Sequence, residues 1–202
     1  RKLRTKTLNK GNGVEMSMMR FLEPADVRGT GFLTVENPDG ADKTYLYLPA
    51  MGRPRRISSE ERGGNFMSSD FTYEDLSFTL DDYNHKLVGT EEIEDKLVYV
   101  VESTPVSEEI KDDVGFAKRK SYFRKDRLVM VKSIYFNDRG EKIKVLINSI
   151  FKQVKEGEWL VKHMVMKDLT KGSKTILEYD DFEINTGLTE DYFSIRQLTR
   201  PL

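Results

Sequence analysis

Apolar and polar residues alternate along most of the chain. Val14, Met16 and Met18 alternate with Glu15 and Ser17, and a similar two-residue period recurs through residues 127–136. Because successive side chains of a β-strand point to opposite faces, this period predicts strands. The protein is therefore expected to be mainly β.

Three glycine-containing segments, residues 137–140, 155–158 and 170–173, read as turns between long strands. A further hairpin turn is predicted at residues 11–13. The strands between the later turns run to about 10–14 residues, about twice the usual length. Long consecutive antiparallel strands favour a single, strongly curved sheet or a barrel.

Residues 141–154 carry apolar side chains on both faces of their predicted strand. Ile143, Val145 and Ile147 share one face, whereas Leu146 and Ile150 share the other. A sheet with one solvated face would not show this pattern, so part of the second face is expected to be covered by helical segments or by a ligand.

Helix is expected to be scarce. A short helical segment is predicted to begin at Asp70, whose carboxylate would cap the backbone amides of Thr72 and Tyr73, and to end at Leu76. Others are predicted at residues 107–113 and 189–193.

Composition excludes several classes of function. The 33 basic and 34 acidic residues give a formal net charge of -1, which argues against a nucleic-acid-binding surface. Cysteine is absent, so disulfides, thiolate nucleophiles and cysteine-ligated metals are excluded. The chain opens on Arg1, and we expect an export signal or a lipid-anchor cysteine to lie upstream of it.

Candidate catalytic chemistry is sparse. His85 and His163 are the two histidines, and neither has a metal-ligand companion two or four residues away. Both are therefore interpreted as hydrogen-bonded structural residues. Adjacent acids such as Asp81 and Asp82 would point to opposite faces of a strand. We predict no catalytic residue, no metal site and no cofactor, and hence a protein that is not an enzyme.

Methionine is abundant, with eight residues in 202. Flexible thioether side chains suit a promiscuous apolar cavity, but they also fill irregular cores, and both interpretations remain open. Residues 64–76 add an aromatic-rich excursion from the strands. Together these side chains form the predicted ligand-binding cavity: Met16, Met18, Phe66, Met67, Phe71, Tyr73, Leu76, Met164 and Met166.

A basic run, Arg53, Arg55 and Arg56, precedes the aromatic-rich segment. One interpretation is ion pairing with Asp70, Glu74 or Asp75, which would fix the segment on the sheet. The other is contact with an anionic headgroup or a partner. Because burying an unpaired arginine is costly, internal pairing is the preferred prediction.

Three ordered blocks of sequence carry a family resemblance. The first runs from YLYLPAMGRPRRISSEERG (Tyr45 to Gly63) into GNFMSSDFTYEDL (Gly64 to Leu76). The others are FLEPADVRGTGFL (Phe21 to Leu33) and GLTEDYFSIRQLTR (Gly187 to Arg200). Together they resemble the LolA/LolB-like superfamily of periplasmic outer-membrane lipoprotein-sorting proteins, and its LolA-like branch in particular.

The resemblance implies a single domain over residues 1–202. Its fold would be mainly β: an unclosed, highly curved antiparallel β half-barrel with a few short helices lidding the concave face. The long N-terminal helix of the family is not found in these residues and is expected upstream. The arginine that gates the best-known carriers matches no single position here, with Arg20, Arg53, Arg55 and Arg56 as candidates.

The resemblance also implies a function. Such a protein would be periplasmic, or periplasm-facing and membrane-anchored through an N-terminal segment, and would hold acyl chains of lipids or lipoproteins. Its partners would be acyl chains or lipoproteins, with an inner-membrane transporter or an outer-membrane acceptor as a protein partner. The alternative is a non-enzymatic accessory or interaction module of a lipid-exporting transporter.

Overall fold

A computed structural model describes residues 1–10, 14–37, 42–77 and 79–202. The turn predicted at residues 11–13 lies outside these described residues. The chain divides into two compact units. Residues 1–58 and 185–202 form the first unit, and residues 59–184 form the second.

The first unit contains a five-stranded sheet in which neighbours in sequence are antiparallel neighbours in space. Its strands are β1 (Lys2–Asn9), β2 (Glu15–Glu23), β3 (Gly31–Val35), β4 (Lys43–Tyr47) and β5 (Pro54–Arg56). Met18 and Leu33 pack with Phe193 and Leu198 from the C-terminal segment. Gly31 permits this packing, because a Cβ atom there would lie 2.6 Å from a methyl group of Leu198.

The second unit contains a seven-stranded antiparallel meander. Its strands are β6 (Tyr83–Ile93), β7 (Lys96–Pro105), β8 (Lys118–Arg124), β9 (Met130–Phe136), β10 (Lys142–Lys155), β11 (Glu158–Asp168) and β12 (Ser173–Glu178). The predicted turn glycines Gly140, Gly157 and Gly172 take positive φ values of 76°, 76° and 68°. The long strands and their turns are therefore confirmed.

Three short α-helices complete the described residues: α1 (Tyr73–Leu76), α2 (Glu108–Val114) and α3 (Ile195–Leu198). Ser107 caps α2 by accepting a hydrogen bond from the Ile110 amide, and Gly115 ends the helix at a φ of 76°. The helix predicted at residues 107–113 is thus confirmed. In the segment predicted at 189–193, Glu190–Tyr192 form a 3₁₀ turn without a side-chain cap. Among the described helices, none is long and apolar enough to span a membrane.

The mainly antiparallel β architecture with scarce helix is confirmed, and neither sheet closes into a barrel. The expectation of one continuous sheet was wrong, since the described strands form two. Residues 57–82 separate β5 from β6, and their described part, 57–77 and 79–82, contains no strand, so the meander stops there and restarts. The two-sided pattern in β10 is partly explained by Leu146, which is 4% exposed, whereas Ile150 is 63% exposed.

Candidate functional site

Residues 64–76, hereafter the aromatic segment, form a closed loop within the second unit. The Phe66 amide donates to the Phe71 carbonyl at 2.8 Å, and Asn65 and Thr72 form an isolated antiparallel bridge. The rings of Phe66 and Tyr73 meet edge to face, with centroids 5.6 Å apart. Both side chains are buried, so the segment carries a small apolar core of its own.

The N-cap of helix α1 lies two residues later than predicted, because Thr72 rather than Asp70 caps it. Thr72 Oγ1 accepts from the Asp75 amide at 3.2 Å, and Asp75 Oδ2 accepts from the Thr72 amide at 2.8 Å. This reciprocal pair is a capping box, which satisfies two backbone donors at once. The end of the helix at Leu76 agrees with the prediction.

Asp70 instead fastens the aromatic segment to the seven-stranded sheet. Its carboxylate accepts hydrogen bonds from the hydroxyls of Ser173 and Thr175 on β12. Lys144 Nζ on β10 donates to the Asp70 carbonyl at 3.0 Å. Asp70 is 6% exposed, so these contacts offset the cost of burying its charge. The segment is therefore a fixed part of the second unit.

A buried ionic network lies at the end of the aromatic segment. Glu74 is 1% exposed, and its Oε2 accepts from Arg62 Nε at 2.8 Å while its Oε1 accepts from the Tyr83 hydroxyl at 2.5 Å. Arg62 Nη1 also lies 2.6 Å from Asp82 Oδ2. Burial raises the pKa of Glu74, and the adjacent Arg62 opposes that rise. The network holds a carboxylate in a position that an unpaired one could not occupy.

The structure pairs these acids with other groups, and the predicted ion pairing of Arg53, Arg55 or Arg56 with them stays a prediction. Asp70 binds hydroxyls of β12, as described above, and Asp75 accepts from the Tyr135 hydroxyl at 2.7 Å. Glu74 binds Arg62, for which no role was predicted from the sequence. The position of Arg62 in the sequence could have indicated this pairing. Arg62 lies between the basic run and the aromatic segment and is the arginine nearest to the segment in the chain.

An apolar cluster forms the core beside the aromatic segment. Phe71 and Met166 belong to it together with Tyr83, Phe116 and Tyr135. The Tyr83 and Phe116 rings stack at 5.9 Å, and Phe116 meets Tyr135 edge to face at 5.2 Å. Aromatic pairs in these geometries contribute about 0.5–1.5 kcal/mol beyond area burial. The margin of the cluster is partly buried and apolar, and it includes Met130, Met164 and Leu177.

The predicted cavity residues fall into two groups. Those of the second unit lie in or beside the aromatic segment and its cluster: Phe66, Met67, Phe71, Tyr73, Leu76, Met164 and Met166. Met67 and Leu76 are half-buried, and Met67 adopts a φ of 49°. Met166 is 0% exposed.

Met16 and Met18 belong to the first unit. Met18 is 2% exposed in the cluster with Leu33, Phe193 and Leu198, and Met16 packs against that cluster. The Arg20 guanidinium on the same strand donates to the carbonyls of Gln197 and Arg200 at 3.1 and 2.8 Å. These contacts hold the C-terminal segment over the Met-rich strand.

Two surface grooves lie elsewhere in the second unit. One, of about 490 Å³, is lined by residues of the β7–α2 connection and by Ala117 and Asp138. The other, of about 310 Å³, is lined by Lys96, Leu97, Lys125 and Asp126. No predicted cavity residue lines either groove.

Both histidines are hydrogen-bonded to nearby groups. His85 Nδ1 lies 2.9 Å from the Ser103 hydroxyl, and His163 Nδ1 lies 2.9 Å from the Ser149 hydroxyl. In the part of the chain that the structure describes, no group of three or more His, Asp or Glu side chains could hold a metal ion.

Comparison with known proteins identifies relatives of nearly the whole chain. A domain from Vibrio parahaemolyticus, inferred to belong to an outer-membrane lipoprotein-sorting protein, is 32% identical with a TM-score of 0.90. The match covers 98% of this chain and 83% of that one. A DUF1329 family protein from Desulfovibrio piger is 28% identical with a TM-score of 0.84, over 97% of this chain and 82% of that one.

A LolA-superfamily protein from Nitrosomonas europaea has the same fold, with a TM-score of 0.66 and 20% identity. That match covers 95% of this chain and 87% of the relative. Among curated proteins, none matches. A family model described as that of an uncharacterized protein matches residues 13–200. The chain belongs to the family of the Vibrio parahaemolyticus outer-membrane lipoprotein-sorting domain, and its fold is that of the LolA superfamily.

Proposed function

We propose that the protein is a non-enzymatic carrier that holds the acyl chains of lipids or lipoproteins during outer-membrane lipoprotein sorting. The observation that carries this proposal is the 32% identity, over 98% of the chain, to a domain inferred to act in that process. The clustering of methionine and aromatic side chains is consistent with such cargo, because flexible thioethers adapt to chains of different shape.

The proposed binding region lies along the margin of the aromatic segment. Half-buried Met67, Leu76 and Met164 would meet an acyl chain first, while Phe71 and Met166 would form the floor beneath it. In the first unit, Met16 and Met18 would contact the acyl chain. An acyl chain would enter by displacing flexible side chains, since Met166 is 0% exposed.

The proposal places the protein in the periplasm, with an inner-membrane transporter as the donor of cargo and an outer-membrane acceptor as its recipient. The alternative function is an accessory module of a lipid-exporting transporter. One observation favours it: two of the predicted cavity residues are buried as core residues are. Phe71 and Met166 are 4% and 0% exposed, so they already pack against protein.

A fatty-acid probe with environment-sensitive fluorescence tests the carrier function. We expect binding at micromolar concentration, which corresponds to about -8 kcal/mol. Burying about ten methylene groups at about 0.8 kcal/mol each gives a gross term of that size before entropic losses. Lengthening the probe by two carbons should tighten binding until the available space is filled.

Met67→Asp is the informative variant. Its backbone at φ 49° suits aspartate, so the fold should persist, while an unpaired carboxylate beside the acyl chain should weaken binding at least tenfold. Met51→Asp is the matched control, because Met51 is 53% exposed in a 3₁₀ turn of the first unit. No binding by the folded wild type, or equal losses in both variants, would refute the carrier function and favour the accessory module.

A further inference from the structure

Two large aliphatic side chains project from one end of the seven-stranded sheet. Leu128, in the turn between β8 and β9, is 70% exposed, and Ile150, in β10, is 63% exposed. Both have positive φ, at 52° and 54°. Left-handed backbone is unfavourable for such residues and is a true outlier for β-branched isoleucine. The protein therefore maintains an unfavourable conformation at two positions whose side chains face solvent.

The strand register brings both residues to the same end of the sheet. Ile147 of β10 pairs with Lys132 of β9, and the Asn148 side chain donates to the Met130 carbonyl. Three residues beyond Ile147, β10 passes the β8–β9 turn that carries Leu128. The turn also reaches β11, because the Arg127 guanidinium lies 4.2 Å from the centre of the Trp159 ring.

Basic residues lie close to this apolar pair in the chain: Lys125 and Arg127 in the turn that carries Leu128, and Lys152 two residues after Ile150. Lys125 lies 5.0 Å from the Tyr99 ring centre, and Lys152 lies 5.7 Å from the Phe182 ring centre. Asp126 is neutralised by Arg124, whose guanidinium makes two hydrogen bonds to its carboxylate. Residues 124–128 and 150–162 together contain six basic and three acidic residues. We call the group Leu128, Ile150, Trp159, Lys125, Arg127 and Lys152 the turn patch.

The neighbouring turn between β6 and β7 has the opposite charge. It carries Glu94 and Asp95, and β6 approaches it through Glu91 and Glu92. This end of the sheet is therefore divided into a basic side that carries Leu128 and Ile150 and an acidic side at the β6–β7 turn. An anionic surface would attract the first side and repel the second, which defines one orientation of approach.

We propose that the turn patch docks the second unit on an anionic lipid bilayer. Leu128 and Ile150 insert among the acyl chains near the headgroups, and the Trp159 ring lies at the interface, which tryptophan favours. Lys125, Arg127 and Lys152 meet anionic headgroups, each contributing an electrostatic attraction that salt screens. The turn patch shares no residue with the proposed acyl-chain site, so the two proposals stand or fall independently.

The single tryptophan makes the test specific. Trp159 is the one tryptophan of the chain, so its emission reports this surface alone. The wild-type protein is mixed with vesicles of equal parts phosphatidylcholine and phosphatidylglycerol. We expect a blue shift of Trp159 emission, quenching by lipids brominated near the headgroup, and co-sedimentation that weakens as sodium chloride is added. Vesicles of phosphatidylcholine alone should bind more weakly.

Leu128→Asn separates docking from folding. Asparagine tolerates left-handed backbone, so the thermal midpoint should not fall, while partitioning to anionic vesicles should drop roughly tenfold through loss of the aliphatic side chain. Leu80→Asn is the matched control, because Leu80 is 66% exposed before the start of β6, at the opposite end of that strand from the β6–β7 turn. It should leave partitioning unchanged.

Three outcomes would overturn the proposal. The wild type does not bind anionic vesicles, it binds neutral vesicles equally well, or Leu80→Asn weakens binding as much as Leu128→Asn. If Leu128→Asn instead abolishes self-association in analytical ultracentrifugation without changing vesicle binding, the patch contacts a second copy of the chain and the bilayer is not its partner.

Discussion

Asp168 closes the turn between β11 and β12 and is 3% exposed. Its Oδ1 accepts from the Thr170 hydroxyl at 2.6 Å and from the amides of Thr170 and Lys171 at 2.9 and 3.0 Å. Burial alone would raise the pKa of this carboxyl, but these hydrogen bonds reverse that effect and lower the pKa to about 2. The charged form is thus favoured in the folded state.

Asp168→Asn should lower the free energy of unfolding by about 1–2 kcal/mol at neutral pH. This is less than the full change in the pKa of Asp168 implies, because the turn is close to solvent. Since the folded pKa lies below the unfolded one, this stabilisation is present above about pH 4 and is lost as the pH falls towards 2. Urea titrations at several pH values measure it. Asp180→Asn, at an exposed site, is the control and should change the free energy of unfolding by less than about 0.5 kcal/mol at neutral pH. A pH-independent loss in Asp168→Asn would contradict the assignment.

Arg62 compensates the buried charge of Glu74. Arg62→Ala should destabilise the protein by about 3–5 kcal/mol at neutral pH, because Glu74 would remain buried without its cation. The pKa of Glu74 is already raised by burial and would rise further without Arg62. An acid with a raised folded pKa costs least when protonated, so the loss should shrink as the pH falls towards 4.

Denaturant unfolding of Arg62→Ala and of the double variant Arg62→Ala/Glu74→Gln tests this coupling. The double variant should be more stable than the single one at neutral pH, because its buried side chain is neutral. Equal stabilities would show that Arg62 acts through packing of its alkyl chain alone.

At the level of elements, α3 is a four-residue helix whose two apolar residues differ sharply in burial. Leu198 is 0% exposed against Met18 and Leu33, whereas Ile195 is 43% exposed. Leu198→Ala should cost about 2–5 kcal/mol, and Ile195→Ala much less. Equilibrium unfolding of both variants measures the difference. Similar costs would mean that α3 is held by Arg20 and its backbone hydrogen bonds more than by Leu198.

The three helices show which elements local sequence could predict. Ser107 and Gly115 bracket α2 with standard capping residues, and residues 107–113 were predicted as helix from sequence alone. Before α1, Asp70 and Thr72 were both acceptable caps. Asp70 does not cap the helix because its carboxylate accepts hydrogen bonds from hydroxyls on β12, about a hundred residues away in the chain. Such long-range contacts have no local signal.

At the scale of the whole molecule, alternation and turn glycines were enough to predict antiparallel strands, since both are local properties. The division into two sheets was not predictable in this way, because alternation does not say where a meander stops. The candidate site was partly predictable: Phe71 and Met166 do share one cluster. Met16 and Met18 pack instead with Phe193 and Leu198, partners more than 170 residues distant in the chain.

The first unit is assembled from both ends of the sequence, residues 1–58 and 185–202. Its earliest strands emerge first during synthesis, yet Met18 and Leu33 lack their partners until Phe193 and Leu198 follow. The second unit is continuous and can form its pairings one hairpin at a time, which favours rapid folding. The N-terminal strands must therefore wait, with apolar surface uncovered, while the intervening residues fold. That interval is when the chain is most prone to aggregate and most in need of a chaperone.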